Sequence, residues 1–320
     1  MTDAKNATCW VLTDGTAGMV NQALGFAEAL GLDPVLKTFK PRWPWRRLAP
    51  QLWLFPLSAA GPGSDPLAPP WPRAIVACGS KVIAPVLAIK ARAGGQTRAI
   101  YVQRPTMGVS RFDLVVAPRH DGLSGPNVLT VRGAVNRVTR ERLDQAAMQW
   151  AGRLAHLPRP RVAVLIGGDS AAHRLTAEFA GRFAGQLAQL CKRDGAGLMV
   201  TASRRTGPGE KAAIRAGLDG LPAYFWDGRG ENPYFGFLGL ADAVIVTSDS
   251  VNMVSEALVT GKPAHVAALE GGSPKFDRFH RELEAEGFTR PFAGRLESWS
   301  YQPLDDTARA AAEAKKRLGL

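Results

Sequence analysis

Short apolar runs and stretches of helical spacing alternate from one end of this chain to the other. In the first half the runs fall at residues 8–13, 73–77, 98–103, 112–117 and 127–131. In the second they fall at 161–166, 197–201, 224–226, 243–246 and 264–267. They are continuous rather than alternating, which predicts strands covered on both faces, as in parallel sheets. Helical spacing follows most of them, at 23–30, up to 92, 139–157, 176–193, 210–217, up to 240, 251–259 and 273–286. This order predicts an α/β fold of two doubly wound domains. At 320 residues, two domains of ordinary size are expected. Pro158-Arg-Pro160 reads as a hinge, giving domains at 1–157 and 158–304. A last Ala-rich helix at 305–320 is expected to pack back on the first domain. Two such domains facing across a cleft would place both sets of strand-end loops in it.

The stretch 241–266 organises the second half. A buried strand runs into the polar turn Thr247-Ser-Asp-Ser250, then into a helix ended by Gly261, and Pro263 opens the next strand. The first N–H groups of such a helix lack internal partners and its dipole is positive there, so the turn suits an anion. Ser248 and Ser250 can add hydroxyl donors. Glu256 follows Ser250 by six positions, about 9 Å along the axis. A carboxylate there can take the two hydroxyls of a ribose whose phosphates sit at the helix start. An ordinary strand-turn-helix with a solvated Glu fits the same residues.

Other strand ends carry candidate chemistry. Asp14-Gly-Thr-Ala-Gly-Met-Val-Asn-Gln22 reads as a glycine turn before the first helix, with Gly15 and Gly18 allowing close backbone approach. It is not a dinucleotide fingerprint, and Asp14 suits either chemistry or a turn. Gly79 and Ser80 mark a second turn suited to an anion. His120 and Asp121 lie in a loop at a strand end, where open α/β sheets keep ligands; a surface turn would look the same. Gly167 and Gly168 form a third glycine turn. Ser203, Arg204 and Arg205 end another strand, and paired arginines can clamp phosphates.

Charge changes the picture for the first domain. Residues 1–155 hold 19 Lys and Arg against 9 Asp and Glu, whereas residues 156–320 hold 21 against 19. Between Arg42 and Arg111 there are ten basic residues and one acid, Asp65. Such a field favours an anionic partner or simply a solvated surface. No nucleic-acid module is visible, so nucleic acid is not expected. Residues 40–56 hold Trp43, Trp45, Trp53, Phe55 and four cations, broken by four prolines. Rings and cations together suit an anionic membrane surface, and the tryptophans equally suit a core. Cys9, Cys78 and Cys191 are far apart, without a disulfide or zinc pattern, which fits a reducing cytosol. The polar start at residues 1–7 lacks a signal peptide's apolar core, and no stretch has the roughly 20 apolar residues of a membrane span. The expected location is cytoplasmic, with peripheral contact at the inner membrane.

Five motifs together resemble a known family. They are Asp14-Gly-x-x-Gly-x-x-Asn21-Gln22, Ile166-Gly-Gly168, Ser203-Arg-Arg-Thr206, Asn232-Pro-Tyr234 and Thr247-x-Asp-Ser-x-x-Met253-x-Ser-Glu256-Ala257. In that order, over nearly the whole chain, they resemble the plant mitochondrial-fission (elongated mitochondria) family and its bacterial homologues. The resemblance implies a GT-B-like fold: two Rossmann-like domains related to nucleotide-sugar glycosyltransferases. It implies that Glu256 and Gly261-Lys-Pro263 hold the donor's ribose and diphosphate, with Ser248, Ser250, Asn252 and Met253 at the phosphates. Gly167 and Gly168 would let the diphosphate approach, with Ser203 and Asn232 in the same donor set. Arg204 and Arg205 would neutralise the leaving nucleotide. The first domain would take an anionic or lipid-linked acceptor through Gly15, Gly18, Asn21, Gln22, Gly79 and Ser80. Asp14, His120 or Asp121 would act as general base. Arg104-Pro105 stands where an acid-Pro pair is expected, a departure on the acceptor side. No DxD motif precedes the donor element, so no metal and no cofactor beyond the nucleotide-sugar substrate are expected. Two other functions fit the same fold: a nucleotide-sugar 2-epimerase, for which His173, His265 and His280 look scattered, and a non-catalytic membrane adaptor.

Overall fold

The computed structural model describes residues 9–320, so Thr8 and the polar start at 1–7 lie outside the described residues. The chain divides into two compact units: residues 9–137 with Asp305–Leu320, and Val138–Leu304.

The first unit is built on β1 (Cys9–Thr13), α1 (Ala17–Ala29), β2 (Pro34–Thr38), β3 (Ala74–Cys78), α2 (Ile83–Arg92), β4 (Arg98–Val102), β5 (Leu114–Pro118) and β6 (Val128–Val131). All six strands are parallel, in the order β2-β1-β3-β4-β5-β6. β1, β3 and β5 are buried at every position, because both faces of the sheet are covered. β2 has no counterpart in the apolar pattern. It is an edge strand with Val35 and Leu36 exposed, so its sequence lacks the buried run that marks the others.

Two expectations for this unit are corrected. The glycine turn after β1 is shorter than its sequence suggests. Gly15 N–H donates to the Thr13 hydroxyl, Thr16 N–H donates to Asp14, and α1 begins at Ala17. Gly18, Asn21 and Gln22 are therefore helical and not loop residues. The tryptophans of residues 40–56 also divide. Trp53 is buried, lies 6.2 Å from Phe39 between ring centroids, and donates from Nε1 to Leu48 O, whereas Trp43 is exposed.

The second unit comprises α3 (Arg140–Ala151), β7 (Arg161–Ile166), β8 (His173–Arg174), α4 (Ala177–Asp194), β9 (Gly197–Ala202), α5 (Pro208–Gly217), β10 (Ala223–Trp226), α6 (Tyr234–Leu240), β11 (Ala243–Thr247), α7 (Val251–Leu258), β12 (Ala264–Ala267), β13 (Glu270–Gly271), α8 (Pro274–Ala285) and β14 (Thr289–Pro291). Its main sheet is again six parallel strands, in the order β10-β9-β7-β11-β12-β14. β8 and β13 form a separate antiparallel pair.

The division falls at Arg137–Val138 rather than at the Pro158 hinge. α3 is the reason: Leu143 and Trp150 share a core with Phe237 and Leu238 of α6, so the helix belongs with the second unit. α9 (Asp306–Leu318) belongs to the first unit, where its Asp306 accepts from the backbone N–H of Arg132 and its Thr307 hydroxyl from Asn136 N–H.

α6 approaches α3 closely through Gly239. A Cβ there would lie 2.5 Å from Leu143 O and 3.0 Å from Ala147 Cβ. Overpacking against backbone costs about 1–3 kcal/mol, and Ala returns about 1 kcal/mol of helix propensity. Gly239→Ala is thus expected to destabilise the second unit by up to about 2 kcal/mol in urea unfolding; a stabilised variant would show that the two helices separate freely.

Candidate functional site

Each sheet has a point where the strand order reverses, and many, though not all, of the candidate residues gather at those points. In the second sheet the chain runs β7, β9, β10 outward, then returns to β11, β12 and β14 on the other side. The reversal lies between β7 and β11, and the crevice outside the carboxyl ends of such strands is where open α/β sheets take ligands. Gly167 and Gly168 follow β7, and Thr247 to Ser250 link β11 to α7.

The residue that ties these loops together is Asp249, which stands in the Thr247–Ser250 turn and had been given no role of its own. Its side chain is 0% exposed. It accepts from Gly168 N–H at 3.0 Å and from the Thr247 hydroxyl at 2.7 Å, and pairs with Arg205 Nη2 at 2.6 Å. Arg205 also donates from Nη1 to Gly168 O and Asp169 O, both at 3.0 Å. Thr247 Oγ1 accepts from Gly167 N–H, and Ser203 Oγ donates to Gly167 O at 2.8 Å.

Two expected roles shift as a result. A Cβ on Gly167 would lie 2.1 Å from Asp249 Oδ1, and one on Gly168 2.3 Å from the Arg205 backbone. The space these glycines leave is filled by the chain itself rather than left open to a diphosphate. Arg204 and Arg205 are both exposed, and the Arg205 guanidinium is engaged by Asp249.

The opening of α7 is held by its own hydroxyls. Ser250 caps the helix by accepting from Met253 N–H at 3.3 Å, and Ser248 Oγ accepts from Leu269 N–H at 2.9 Å. Asn252 and Met253 lie half-buried in the first turn. One turn further on, Glu256 is buried and its Oε2 accepts from Tyr234 Oη at 2.5 Å. Burial pushes the Glu256 carboxyl up to about 7, against the downward pull of the Tyr234 hydrogen bond. Asn232 reaches this pair through the backbone: its Oδ1 accepts from Tyr234 N–H and so turns the chain into α6. Tyr234 stands in a quoted motif, yet nothing in its spacing from Glu256 announces the contact.

His280 Nε2 lies 2.8 Å from Ser248 O, and His173 and His280 act on one another electrostatically. Burial holds both below the usual histidine value. His265 is separate: in β12 its Nε2 accepts from Glu297 N–H at 3.0 Å.

In the first unit the reversal lies between β1 and β3. Asp14 follows β1, and its Oδ2 pairs with Lys81 at 3.2 Å beyond β3. Burial raises the Asp14 carboxyl, but the Thr16 hydrogen bonds and the Lys81 ammonium outweigh it and hold the group below its ordinary value. Gly15 (φ +85°) and Gly79 (φ +106°) take left-handed backbone at this point, and Ser80 is exposed beside them. His120 and Asp121 are buried after β5, where Asp121 O accepts from Arg104 Nη1 at 2.7 Å. β1 and β5 are three strand spacings apart, about 14 Å. Asp14 is therefore not part of one constellation with His120 and Asp121. Gln103, at the end of β4, is the only non-glycine with positive φ (86°) among the described residues, and its Nε2 donates to Gln22 Oε1 at 3.3 Å.

Among the described residues, no group of three or more His, Cys, Asp or Glu is placed to hold a metal ion. No helix among them is long and apolar enough to cross a membrane.

Known proteins share this architecture. UDP-GlcNAc 2-epimerase of Methanocaldococcus jannaschii, solved with UDP-GlcNAc and UDP, is similar at a TM-score of 0.53 and 10% identity, over 96% of this chain and 98% of that one. The fold is thus the GT-B-like pair of parallel-sheet α/β units. By sequence, mitochondrial fission protein ELM1 of Arabidopsis thaliana is 31% identical over 274 residues, 77% of this chain and 64% of that protein. An uncharacterized protein of Rickettsia prowazekii (strain Madrid E) is 26% identical over 207 residues, 62% of this chain and 58% of that protein. The chain thus spans about three fifths of the length of these curated relatives. The sequence model described as mitochondrial fission ELM1 matches residues 17–318, and the chain belongs to that family.

Proposed function

We propose that this chain is a nucleotide-sugar-dependent glycosyltransferase of GT-B type, acting on a lipid-linked or anionic acceptor at the cytoplasmic face of a membrane. One observation carries the reading. At the reversal of the second sheet, the capped start of α7 and the buried Glu256, hydrogen-bonded to the half-buried Tyr234, lie within two helical turns of each other. The α7 N–H groups suit a diphosphate and Glu256 a ribose. Similarity to a structure solved with UDP-GlcNAc and UDP supports a nucleotide-sugar donor.

In the proposed reaction an acceptor oxygen bonds to the donor's anomeric carbon as that carbon's bond to the diphosphate breaks. The acceptor's proton passes to a base, for which Asp14 is the candidate because Lys81 and Thr16 keep it ionised. The helix start and Arg204 would meet the departing charge, joined by Arg205 where it leaves Asp249. This chemistry asks for no metal.

The test is a panel of nucleotides and nucleotide-sugars on wild type and Glu256→Ala. A ligand at 100 times its Kd should stabilise wild type by about 2.7 kcal/mol, and the variant should lose that gain. No stabilisation by any member would remove the donor site. A second reading, a nucleotide-sugar 2-epimerase, draws on His173 and His280, which the fold brings to the Ser248 turn. Free nucleotide formed without an acceptor would favour it.

A further inference from the structure

The excursion between β2 and β3 combines exposed rings, aliphatic side chains and cations on a closed loop. Its feet are pinned together: Arg42 N–H donates to Ala59 O at 2.9 Å, and Gly61 N–H to Lys40 O at 2.8 Å. Trp53 and Ala59 anchor it from inside, in the core of the first unit, with Trp45 and Leu57 packed against that core. The loop is thus held in shape by four apolar residues, and yet it leaves others outside. Trp43 is 70% exposed, Leu54 80% and Phe55 64%. Of the eight large hydrophobic residues exposed among the described residues, five lie between 43 and 55, so this is a patch and not a scatter.

Cations surround it. Arg42, Arg46 and Arg47 are exposed, and no carboxylate pairs with them among the described residues. Asp65, the one acid between Arg42 and Arg111, accepts from Thr38 backbone N–H at 2.6 Å. The cations of this loop therefore carry their charge outward without internal compensation.

We propose that this loop docks the chain on an anionic lipid bilayer. Trp43, Leu54 and Phe55 enter the boundary between headgroups and acyl chains, and Arg42, Arg46 and Arg47 meet lipid phosphates. Charge complementarity selects this occupant. A second copy would bring three uncompensated arginines against three more, whereas an anionic headgroup layer satisfies all of them and accepts the apolar tips. The docking stands apart from the nucleotide-sugar reading, because neither Glu256 nor Asp249 takes part in it.

The experiment is flotation of the full chain with vesicles of phosphatidylcholine alone and of phosphatidylcholine mixed with phosphatidylglycerol. Wild type is expected to float with the mixed vesicles and not with the neutral ones, and added salt should weaken the binding. The double variant Leu54→Ser/Phe55→Ser and the triple variant Arg42→Gln/Arg46→Gln/Arg47→Gln are each expected to lose at least about ten-fold in partitioning. Met148→Ser, which changes an exposed residue of the second unit, should bind as wild type does. All the substituted side chains are exposed, and circular dichroism checks that the fold survives. Failure of wild type to float with mixed vesicles overturns the proposal, as does wild-type binding by both multiple variants. So does light scattering that shows a dimer dissolved by Leu54→Ser/Phe55→Ser while vesicles leave it intact; the patch would then belong to a protein contact.

Discussion

Asp249→Ala is expected to destabilise the second unit by about 3 kcal/mol. The carboxylate is 0% exposed and receives the Gly168 N–H and the Thr247 hydroxyl, which are both buried. Removing it leaves these donors facing a cavity, and each unsatisfied buried group costs about 1–3 kcal/mol. The pair with Arg205 adds less than a buried ion pair would, because the arginine side chain is 42% exposed and water screens it. Asp249→Asn keeps one acceptor oxygen and should recover about half of the loss. Native-state hydrogen exchange of β7 and β11 amides reads this unit by itself. A loss below about 1 kcal/mol for Asp249→Ala would mean that the two loops hold together without the carboxylate.

The sheets were legible in the sequence because buried parallel strands leave continuous apolar runs. Residues 161–166 and 264–267 match β7 and β12 at both ends. β2, β8, β13 and β14 left no such run. β2 and β14 are edge strands, and β8 and β13 have two residues each, so none needs a run of buried side chains. The unit boundary was misplaced because Pro158-Arg-Pro160 signals a loop, whereas membership of α3 depends on what Trp150 touches. That contact is made with Phe237, 87 positions later, and no local pattern encodes it. The length of the turn after β1 was likewise hidden, because Asp14, Thr13 and Thr16 close it with side-chain bonds that a count of glycines does not reveal.

At the candidate site, the sequence marks the anion-suited turns and misses what already fills them. Ser248 and Ser250 stand out as donors, yet the intervening Asp249 faces inward and supplies a negative charge of its own. Its mate Arg205 and the missing side chains at Gly167 and Gly168 make sense only beside it. A signal was present: an acid between two serines, opposite two glycines and two arginines on neighbouring strand ends. It needs the strand order to be read, and that order places β7 between β9 and β11. His173 and His280 show the same limit, since 107 positions separate them in the chain and one turn gathers them.

Glu256 should make the stability of the second unit depend on pH near neutrality. Burial raises its carboxyl to about 7 in the folded chain, against about 4.5 when unfolded. Below the unfolded value both states hold the proton and the contribution is fully present. Between the two values the folded state keeps the proton that the unfolded state has released, so stability falls as pH rises through this window. The total is about 3 kcal/mol. Glu256→Gln carries no titrating proton at this site and keeps the shape. The stability of wild type minus that of Glu256→Gln, followed from pH 4 to pH 8, is therefore expected to drop by about 3 kcal/mol. A flat difference would place the carboxylate in contact with water, ionised in the ordinary range. The same linkage bears on the donor. A ribose that donates two hydroxyls needs the ionised carboxylate, so its binding must release the proton Glu256 holds below pH 7. Nucleotide affinity should then rise by up to about ten-fold per pH unit below 7 and level off above it. An affinity that is independent of pH would assign the ribose to other residues, and would leave the Glu256–Tyr234 hydrogen bond as a support of α6 against α7.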